Sequence, residues 1–396
     1  MIENEMSNQN ISNLRQLKSH LKLSSAEEKR LAEVIKAHPM RISSHYLSLI
    51  DWNDSYDPIM RMAVPSPDEL NLDGCCDTSG ESENTKMPGI QHKYSETALI
   101  LATNQCAMYC RHCFRKRLVG LPTEEILKRF EDAAEYIEAH PEINNVLISG
   151  GDPLTLSNEI IERFLKVLTR IPHLNFIRIG SRVPVTLPNR LKNKKLLNIL
   201  KKYSKNKRLY IITQFNHPRE INPASIDAVN NLINAGALVN NQTVLLKQVN
   251  DDSTTLATLM NKLTTIGVTP YYVFQCRPLE RVKHHFQVPI CEGIRIVEEA
   301  KANCNGLSKR FKYIMSHRTG KIEILGIIDD DIYFKYHEAK NKENLGVMFK
   351  RQVNEKAGWL DDFESCPDLD RIERKLKARF PIIERSPTEI TIPEQD

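Results

Sequence analysis

The chain has 396 residues, of which 41% are hydrophobic and 27% are charged, a composition typical of a globular protein with a sizeable core. Its formal net charge of +5, from 55 basic and 50 acidic residues, is too small and too evenly spread to indicate nucleic-acid binding. One large domain with appendages and two domains are both compatible with this length.

Neither an export signal nor a membrane segment is visible. The start, MIENEMSNQN, lacks the basic and apolar stretches of a signal peptide, and no apolar run approaches the roughly 20 residues of a membrane-spanning helix. We therefore expect a cytoplasmic protein that binds no membrane. Nine cysteines in such a protein favour metal chemistry over disulfides, because the cytoplasm keeps thiols reduced.

Residues 1–71 are predicted to form a helical accessory region. Residues 23–38 contain the amphipathic pattern SSAEEKRLAEVIKAH, with Ser24 or Ser25 as the cap and glutamates in the first turn. A second helical stretch is expected around residues 43–49. Residues 72–90 are poor in hydrophobic residues and rich in turn formers, which predicts a linker.

Residues 91–307 alternate between short β-rich runs and amphipathic helical patterns. The helical patterns include EEILKRFEDAAEYIEAH and SNEIIERFLKVLTRI, the second with Ser157 as its cap. The predicted strands start at Ala98, Asn145, Phe176, Arg208, Leu238 and Thr269. This alternation predicts an α/β fold with a parallel sheet, either curled into a partial barrel or doubly wound. In both architectures the site forms at the C-terminal edge of the strands.

Beyond residue 307 the rhythm changes, and residues 308–396 are predicted to form a small C-terminal extension. The runs FKYIMS, KIEILGI and DIYFKYH indicate short strands, with a turn at residues 329–331. The end of the chain is charged and rich in proline, so we expect a peripheral tail that is partly disordered.

Three cysteines, Cys106, Cys110 and Cys113, directly follow the first predicted strand. Thiolates at these spacings can bind three irons of a cubane iron-sulfur cluster, whereas an electron-transfer cluster usually takes four cysteines. The open iron can bind S-adenosylmethionine (SAM), pass it an electron and release a 5'-deoxyadenosyl radical. A zinc site completed by His112 and unconnected core thiols are the alternative interpretations.

The cluster loop CAMYCRHCFRKR resembles that of the lysine 2,3-aminomutase family of radical SAM enzymes, which also use pyridoxal 5'-phosphate (PLP). The likeness covers roughly residues 40–325, through RMAVP, PGIQHKY, SGGDPL, RIGSRVPVTLP, FNHPREI, NNQTVLLKQVND and YYVFQC. It implies a partial parallel (β/α)6 barrel of the radical SAM type that holds a [4Fe-4S] cluster, SAM and PLP. It also implies an electron donor such as flavodoxin or ferredoxin, and a homo-oligomer.

The resemblance assigns roles to residues near the cluster loop. Gly150, Gly151 and Asp152 end the second predicted strand and match the turn that approaches the amino group of SAM. Arg115 matches the family arginine that pairs with the substrate carboxylate, a task that suits its planar fork. A solvated loop cation in the run RKR is the alternative for Arg115.

Two further segments are expected to form the PLP site. Lys93 and Tyr94 match family positions that contact the PLP phosphate and pack near its ring, although lysine lacks the bidentate geometry of the family's arginine. The segment SHRTGK matches the one that carries the Schiff-base lysine, which makes Lys321 the candidate. Only Gly320 stands where the family has several glycines, so a surface lysine is the alternative, and Lys312 is a weaker rival.

The family's reaction moves an amino group. The adenosyl radical takes a hydrogen from the β-carbon of an amino acid held as a PLP aldimine, the nitrogen migrates from the α- to the β-carbon, and the hydrogen returns. The protein contributes position and the exclusion of water.

The residues expected at the substrate side chain depart from the family pattern. Lysine-specific members hold the substrate ammonium with two acids, but here Arg277 stands at the first position and the second falls near Met315 or Ser316. An ammonium buried beside an arginine would cost several kcal/mol. We therefore expect a substrate with an acidic or polar side chain, such as glutamate, bound by Arg277. An internal pair with an acid such as Glu280 is the alternative for this arginine.

Two other departures concern zinc and SAM. Some members bind a structural zinc through a cysteine after the VND turn and cysteines in the tail. Here Asp251 and Asp252 follow that turn and the tail holds only Cys366, so no zinc site is expected. Gln214 replaces a histidine near the adenine of SAM, which predicts a modified SAM pocket.

Three alternative functions stay open at this point: a lysine 2,3-aminomutase, a radical SAM enzyme without PLP, and an iron-sulfur electron carrier.

Overall fold

A computed structural model describes residues 10–363, and the expected tail with Cys366 lies outside the described residues. The strands are β1 (Thr85–Met87), β2 (Ile90–Tyr94), β3 (Thr97–Thr103), β4 (Asn145–Gly150), β5 (Phe176–Gly180), β6 (Arg208–Thr213), β7 (Ala237–Leu245), β8 (Thr269–Gln275), β9 (Lys312–His317), β10 (Gly320–Ile328), β11 (Asp331–Ala339) and β12 (Met348–Gln352).

The longer helices are α1 (Ser25–Ala37), α2 (Phe130–Glu138), α3 (Asn158–Leu168), α4 (Lys194–Ser204), α5 (Pro223–Asn234), α6 (Ser253–Thr265) and α7 (Ile290–Ala302). Short helical turns cover Leu14–Leu17, Ser44–Leu47, Pro58–Ala63, Pro67–Leu70, Glu81–Asn84, Pro153–Thr155, Val183–Thr186, Pro188–Lys192, Pro218–Glu220, Lys283–Phe286, Ser308–Arg310, Lys342–Asn344 and Leu360–Asp362. Across residues 10–363, no helix is both long and apolar enough to cross a membrane.

All strands belong to one 12-stranded sheet whose spatial order follows the chain from β1 to β12. From β3 to β9 each strand pairs in parallel with the next. A doubly wound sheet would reverse its strand order at a switch point, so this unbroken order selects the partial barrel. No pairing among the described residues closes the sheet. The expected partial parallel barrel is thus confirmed.

Antiparallel strands extend the sheet at both ends. β1 and β2 add to the edge of β3, and β10, β11 and β12 continue from β9. The predicted C-terminal strands form, but β9 pairs in parallel with β8 and so lengthens the barrel sheet by one strand. The sheet runs unbroken past residues 90 and 307, and the division of the chain into four regions stays a prediction.

The two helix caps that the sequence predicts are present in the structure. Ser24 and Ser157 accept backbone N–H groups at the starts of α1 and α3. By contrast, α2 begins at Phe130 rather than near residue 124. Leu127 instead donates its N–H to the Leu101 carbonyl of β3 at 2.9 Å. This pairing outweighs the local helical pattern, which is a weak preference.

The two faces of the parallel sheet have different tasks. In β4, Val146 and Ile148 are buried in the hydrophobic core, whereas Leu147 and Ser149 line a cavity on the other face. Successive side chains of a strand point to opposite faces, so each strand contributes to both. The outer face of the sheet packs in the core and stabilises the barrel, and the inner face lines the cavity.

Candidate active site

A cavity of about 340 Å³ opens inside the barrel toward the C-terminal edge of its strands. Its wall contains every residue to which the sequence assigns a site role: Lys93, Tyr94, Cys106, Cys110, Cys113, Arg115, Gly150, Gly151, Asp152, Arg277 and Lys321. Residues far apart in the chain therefore meet at one place. Their individual roles stay predictions.

The three cysteines of the loop after β3 are free thiols that face the cavity together. Burial, followed by Asp152 and the two neighbouring thiols, raises the pKa of Cys106. Burial and Cys110 likewise raise the pKa of Cys113 to about 11. Such thiols ionise when a metal supplies the compensating positive charge. This donor set fits an iron-sulfur cluster.

A zinc ion fits the cysteine loop less well. Within residues 10–363, no three His, Cys, Asp or Glu side chains are arranged to hold one metal ion, whereas a cubane distributes its cysteines over different irons. His112, the proposed fourth zinc ligand, accepts a hydrogen bond at Nε2 from the Asn216 amide at 3.1 Å. Burial lowers the pKa of His112, so the ring is neutral.

A buried ion cluster fastens the cysteine loop to the N-terminal region. The Glu69 carboxylate accepts hydrogen bonds from Arg111 Nε at 2.8 Å and Nη2 at 2.6 Å, and from Lys116 Nζ at 2.6 Å. Burial raises the pKa of Glu69, but the two cations outweigh burial and hold the pKa well below its usual range. The sequence gives no sign of this, because a buried glutamate has the same local pattern as an exposed one.

The glycines at the end of β4 allow a close backbone approach. A Cβ on Gly150, whose φ is +112°, would lie 2.3 Å from the Thr103 carbonyl oxygen, and one on Gly151 would lie 2.3 Å from that of Gln105. The nearest chain is therefore the one that enters the cysteine loop. Burial raises the pKa of the adjoining Asp152 to about 6. The expected contact of this turn with SAM stays a prediction.

Lys321 lies in the cavity wall rather than on the surface. On β10 it is paired with Ser316 of β9 and Glu338 of β11, and its Nζ donates to Glu338 Oε2 at 2.7 Å. The same Nζ lies 5.2 Å from the ring centroid of Tyr94 and 5.7 Å from that of Tyr272. Burial lowers the pKa of Lys321, and Glu338 partly opposes this shift.

The rival lysine and Lys93 have clearly different surroundings. Lys312 is not part of the cavity wall, and its Nζ donates to Glu323 at 2.6 Å. Lys93 donates to the His317 carbonyl at 2.6 Å. Burial, followed by Arg277 and Lys321, lowers the pKa of Lys93 to about 7. A lysine crowded by other cations is suited to bind an anion, which would relieve their repulsion.

Arg115 and Arg277 flank one aromatic ring. The guanidinium carbon of each lies 4.5 Å from the ring centroid of Phe114. Between them Glu81 is buried, with Oε1 3.4 Å from Arg115 Nε. Burial raises the pKa of Glu81, but Arg115 and Arg277 reverse this and lower it. Arg115 is therefore part of a buried charged wall rather than a solvated loop cation.

The hydrogen bonds of Arg277 are made to hydroxyl groups. Its Nη1 donates to Ser79 Oγ at 2.8 Å and its Nη2 to Ser316 Oγ at 3.0 Å. These partners differ from Glu280, the expected internal alternative. Ser316, one of the two residues considered for the second substrate position, thus lies beside the first. Neither serine is charged, and the nearby acid Glu81 forms its ion pairs with Arg115 and Arg117, which leaves the Arg277 guanidinium able to bind an anion.

Residues 72–90 do more than the expected linker. They contribute Ser79, Glu81 and Asn84 to the cavity wall. Asp77 accepts the N–H groups of Glu81 at 2.8 Å and Ser82 at 3.0 Å, which fixes the helical turn that carries Glu81. Polar contacts order the segment's helical turn, and apolar burial is confined to its end, at Met87 and Ile90. Its hydropathy pattern therefore resembles that of a linker.

Known proteins are similar to this chain over most of its length. Residues 100–259 match the Radical SAM superfamily. A putative L-lysine 2,3-aminomutase of Aquifex aeolicus (strain VF5) is 45% identical over 342 residues, 85% of this chain and 91% of that protein. L-lysine 2,3-aminomutase of Clostridium subterminale is 40% identical, covering 75% and 71% of the two chains. Glutamate 2,3-aminomutase of Clostridioides difficile (strain 630) is 37% identical, covering 72% and 67%.

Proposed function

Because the chain belongs to the lysine 2,3-aminomutase family of radical SAM enzymes, we propose that it uses SAM and PLP to isomerise an amino acid with an acidic side chain. The α-amino group would move to the β-carbon. A radical SAM aminomutase is an isomerase, and membership of the family implies a [4Fe-4S] cluster and SAM. The substrate class and the use of PLP are the proposed parts.

The placement of both Arg115 and Arg277 over the ring of Phe114 is the observation that carries the substrate class. An amino acid with an acidic side chain has two carboxylates, and the cavity wall offers one guanidinium for each. Arginine is suited to this task because its planar fork can donate two hydrogen bonds to one carboxylate. The ammonium of a lysine substrate would meet Arg277 there, and the buried acid of this wall, Glu81, is already paired with Arg115 and Arg117, so the ammonium would be costly to bury.

The surroundings of Lys321 support PLP binding. Burial lowers the pKa of Lys321, which favours the neutral, nucleophilic amine, and Glu338 can accept a proton from it. Lys93 adds a cation for the phosphate, and Tyr94 and Tyr272 add aromatic surface. When bound, PLP supplies a ring system that stabilises the radical during nitrogen migration. The protein's residues orient the substrate and exclude water.

A direct assay distinguishes the substrates. The reconstituted enzyme is incubated anaerobically with SAM, PLP, a reductant and either glutamate, aspartate or lysine, and β-amino acids are measured by mass spectrometry. We expect the β-isomer of a dicarboxylic amino acid and only background β-lysine. Formation of β-lysine without any acidic β-amino acid would contradict the proposed substrate class.

Substitution of Arg277 tests the same point within the protein. Arg277→Gln is expected to raise KM for the acidic substrate at least tenfold, because the hydrogen bonds of a charged group are worth about 1.5–3 kcal/mol. Arg295→Gln is the matched control, since Arg295 lies exposed on α7 and pairs there with Glu299. Equal KM values in the two variants would show that Arg277 does not bind the substrate.

A further inference from the structure

Arg182 lies buried beside the cysteine loop, at the end of β5 and within the motif RIGSRVPVTLP. Its Nη1 donates a hydrogen bond to the sulfur of Cys110 at 2.8 Å. A guanidinium is a permanent cation with donors only. Positive charge is therefore placed directly against a sulfur that faces the cavity.

Two further contacts hold Arg182 in place. Its backbone N–H donates to Asp152 Oδ2 at 2.7 Å, and its Nε donates to the Gln214 carbonyl at 3.0 Å. One residue thus joins the cysteine loop, the turn after β4 and the end of β6. The backbone contact fixes the position of the residue, and the contacts of Nε and Nη1 fix the direction of the guanidinium.

The far side of the guanidinium is paired with a buried carboxylate. Arg182 Nη2 donates to Glu220 Oε1, which also accepts the Tyr46 hydroxyl at 2.6 Å. The other carboxylate oxygen accepts the Asn216 N–H at 2.6 Å. Both Glu220 and Tyr46 are 0% exposed. The buried ion pair is therefore a fixed dipole with its positive end toward Cys110 and its negative end turned away.

We propose that this Arg182–Glu220 pair sets the reduction potential of the iron-sulfur cluster, with Arg182 as a positioning residue that favours the reduced form. The reduced cluster carries one more electron than the oxidised cluster, taken from an external one-electron donor such as a flavodoxin or a ferredoxin. A cation and a hydrogen bond at a ligand sulfur stabilise this added negative charge. Glu220, farther from the sulfur, acts in the opposite direction. The inference rests on the proposed function only in taking Cys110 as a cluster ligand.

Potentiometric titration followed by electron paramagnetic resonance tests the pair without substrate or PLP. The full-length protein is reconstituted anaerobically as wild type, Arg182→Gln and Glu220→Gln, and iron and sulfide content are measured first. We expect a more negative potential in Arg182→Gln and a more positive one in Glu220→Gln. Shifts in opposite directions would indicate an electrostatic role. A general structural perturbation would instead shift the potential in the same direction in both variants.

Removal of one partner leaves the other charge buried and unpaired, which destabilises the fold. The double variant Arg182→Gln/Glu220→Gln removes both charges together, and its potential is expected below that of the wild type because the hydrogen bond from a cation is lost. Arg295→Gln, which removes an exposed arginine of α7, is the control and is expected to leave the potential unchanged. A wild-type potential in the double variant at full iron content, or shifts of equal sign in the two single variants, would overturn the proposal. Failure of the aminomutase assay alone would leave this measurement unaffected.

Discussion

The end of the cavity proposed to hold the cluster and the end proposed to hold substrate and PLP, the cluster end and the substrate end, are built in different ways. Cys106, Cys110 and Cys113 come from one loop. Buried ion pairs of Glu69 and Glu220 hold this loop and its neighbour Arg182 in place. The cations of the substrate end, Arg277 and Lys321 among them, come from separate strands and loops and meet only in the folded barrel. A cluster needs its three ligands in one fixed geometry. A charged substrate and PLP instead need charged side chains at several separate positions. The two ends should therefore fail independently.

Loss of one residue at each end is expected to have the largest effect. Cys113→Ala should lose the cluster and all SAM cleavage but keep the visible absorbance of a PLP Schiff base. Lys321→Ala should lose that absorbance but keep its iron and its uncoupled SAM cleavage. Both variants should lack aminomutase activity. Iron analysis, absorbance spectra and the release of 5'-deoxyadenosine measure the three properties.

Two results would change the function assigned to the cavity. Unchanged absorbance in Lys321→Ala, or no absorbance in the wild type with PLP, would favour a radical SAM enzyme without PLP. Failure of the reduced, reconstituted wild type to cleave SAM would favour an iron-sulfur electron carrier.

The support of the cluster end predicts a large effect on stability. Glu69→Gln leaves Arg111 and Lys116 buried without their carboxylate, so the free energy of unfolding should fall by about 3–5 kcal/mol. Iron content after reconstitution should also fall. Urea unfolding and iron analysis measure both effects. Glu159→Gln, which breaks an exposed pair with Lys195, should change neither. Lower stability with full iron content would show that Glu69 stabilises the fold but is not needed to hold the cluster loop.

The substrate end predicts a smaller effect, which depends on pH. Burial lowers the pKa of Lys93 to about 7, so this lysine is charged below that pH and loses its proton above it. Binding of sulfate, a dianion whose own charge stays constant, should weaken as pH rises from 7, by at most about tenfold per unit for one proton. Calorimetric titration across this range measures the slope.

Lys93→Arg is the matched variant for the pH dependence. Arginine stays charged throughout this range, so its sulfate affinity should vary less with pH than that of the wild type. Equal slopes in the two proteins would assign the dependence to another group, such as Lys321, and would remove Lys93 from the anion site.

Local patterns were sufficient to locate the barrel strands, the caps at Ser24 and Ser157 and the cysteine loop. Each of these depends on neighbours a few residues apart: alternation within a strand, a side chain on the first turn of a helix, or ligands in one loop. The family resemblance added the site predictions for Arg115, Arg277 and Lys321, and all three residues line the cavity. Their assigned chemistry still requires the experiments above.

Tertiary contacts decided the rest. Glu69, Glu81 and Arg182 carry no local signal, because a charged residue is recognised as buried only when its partner is known, and the partners lie far away in sequence. The later start of α2 and the parallel pairing of β9 have the same origin, since neighbouring strands outweighed local preference. Spacing along the chain was enough to locate the three cysteines. Only folding brought the charged side chains of Glu69, Glu81 and Arg182 together around them, because their partners are distant in sequence.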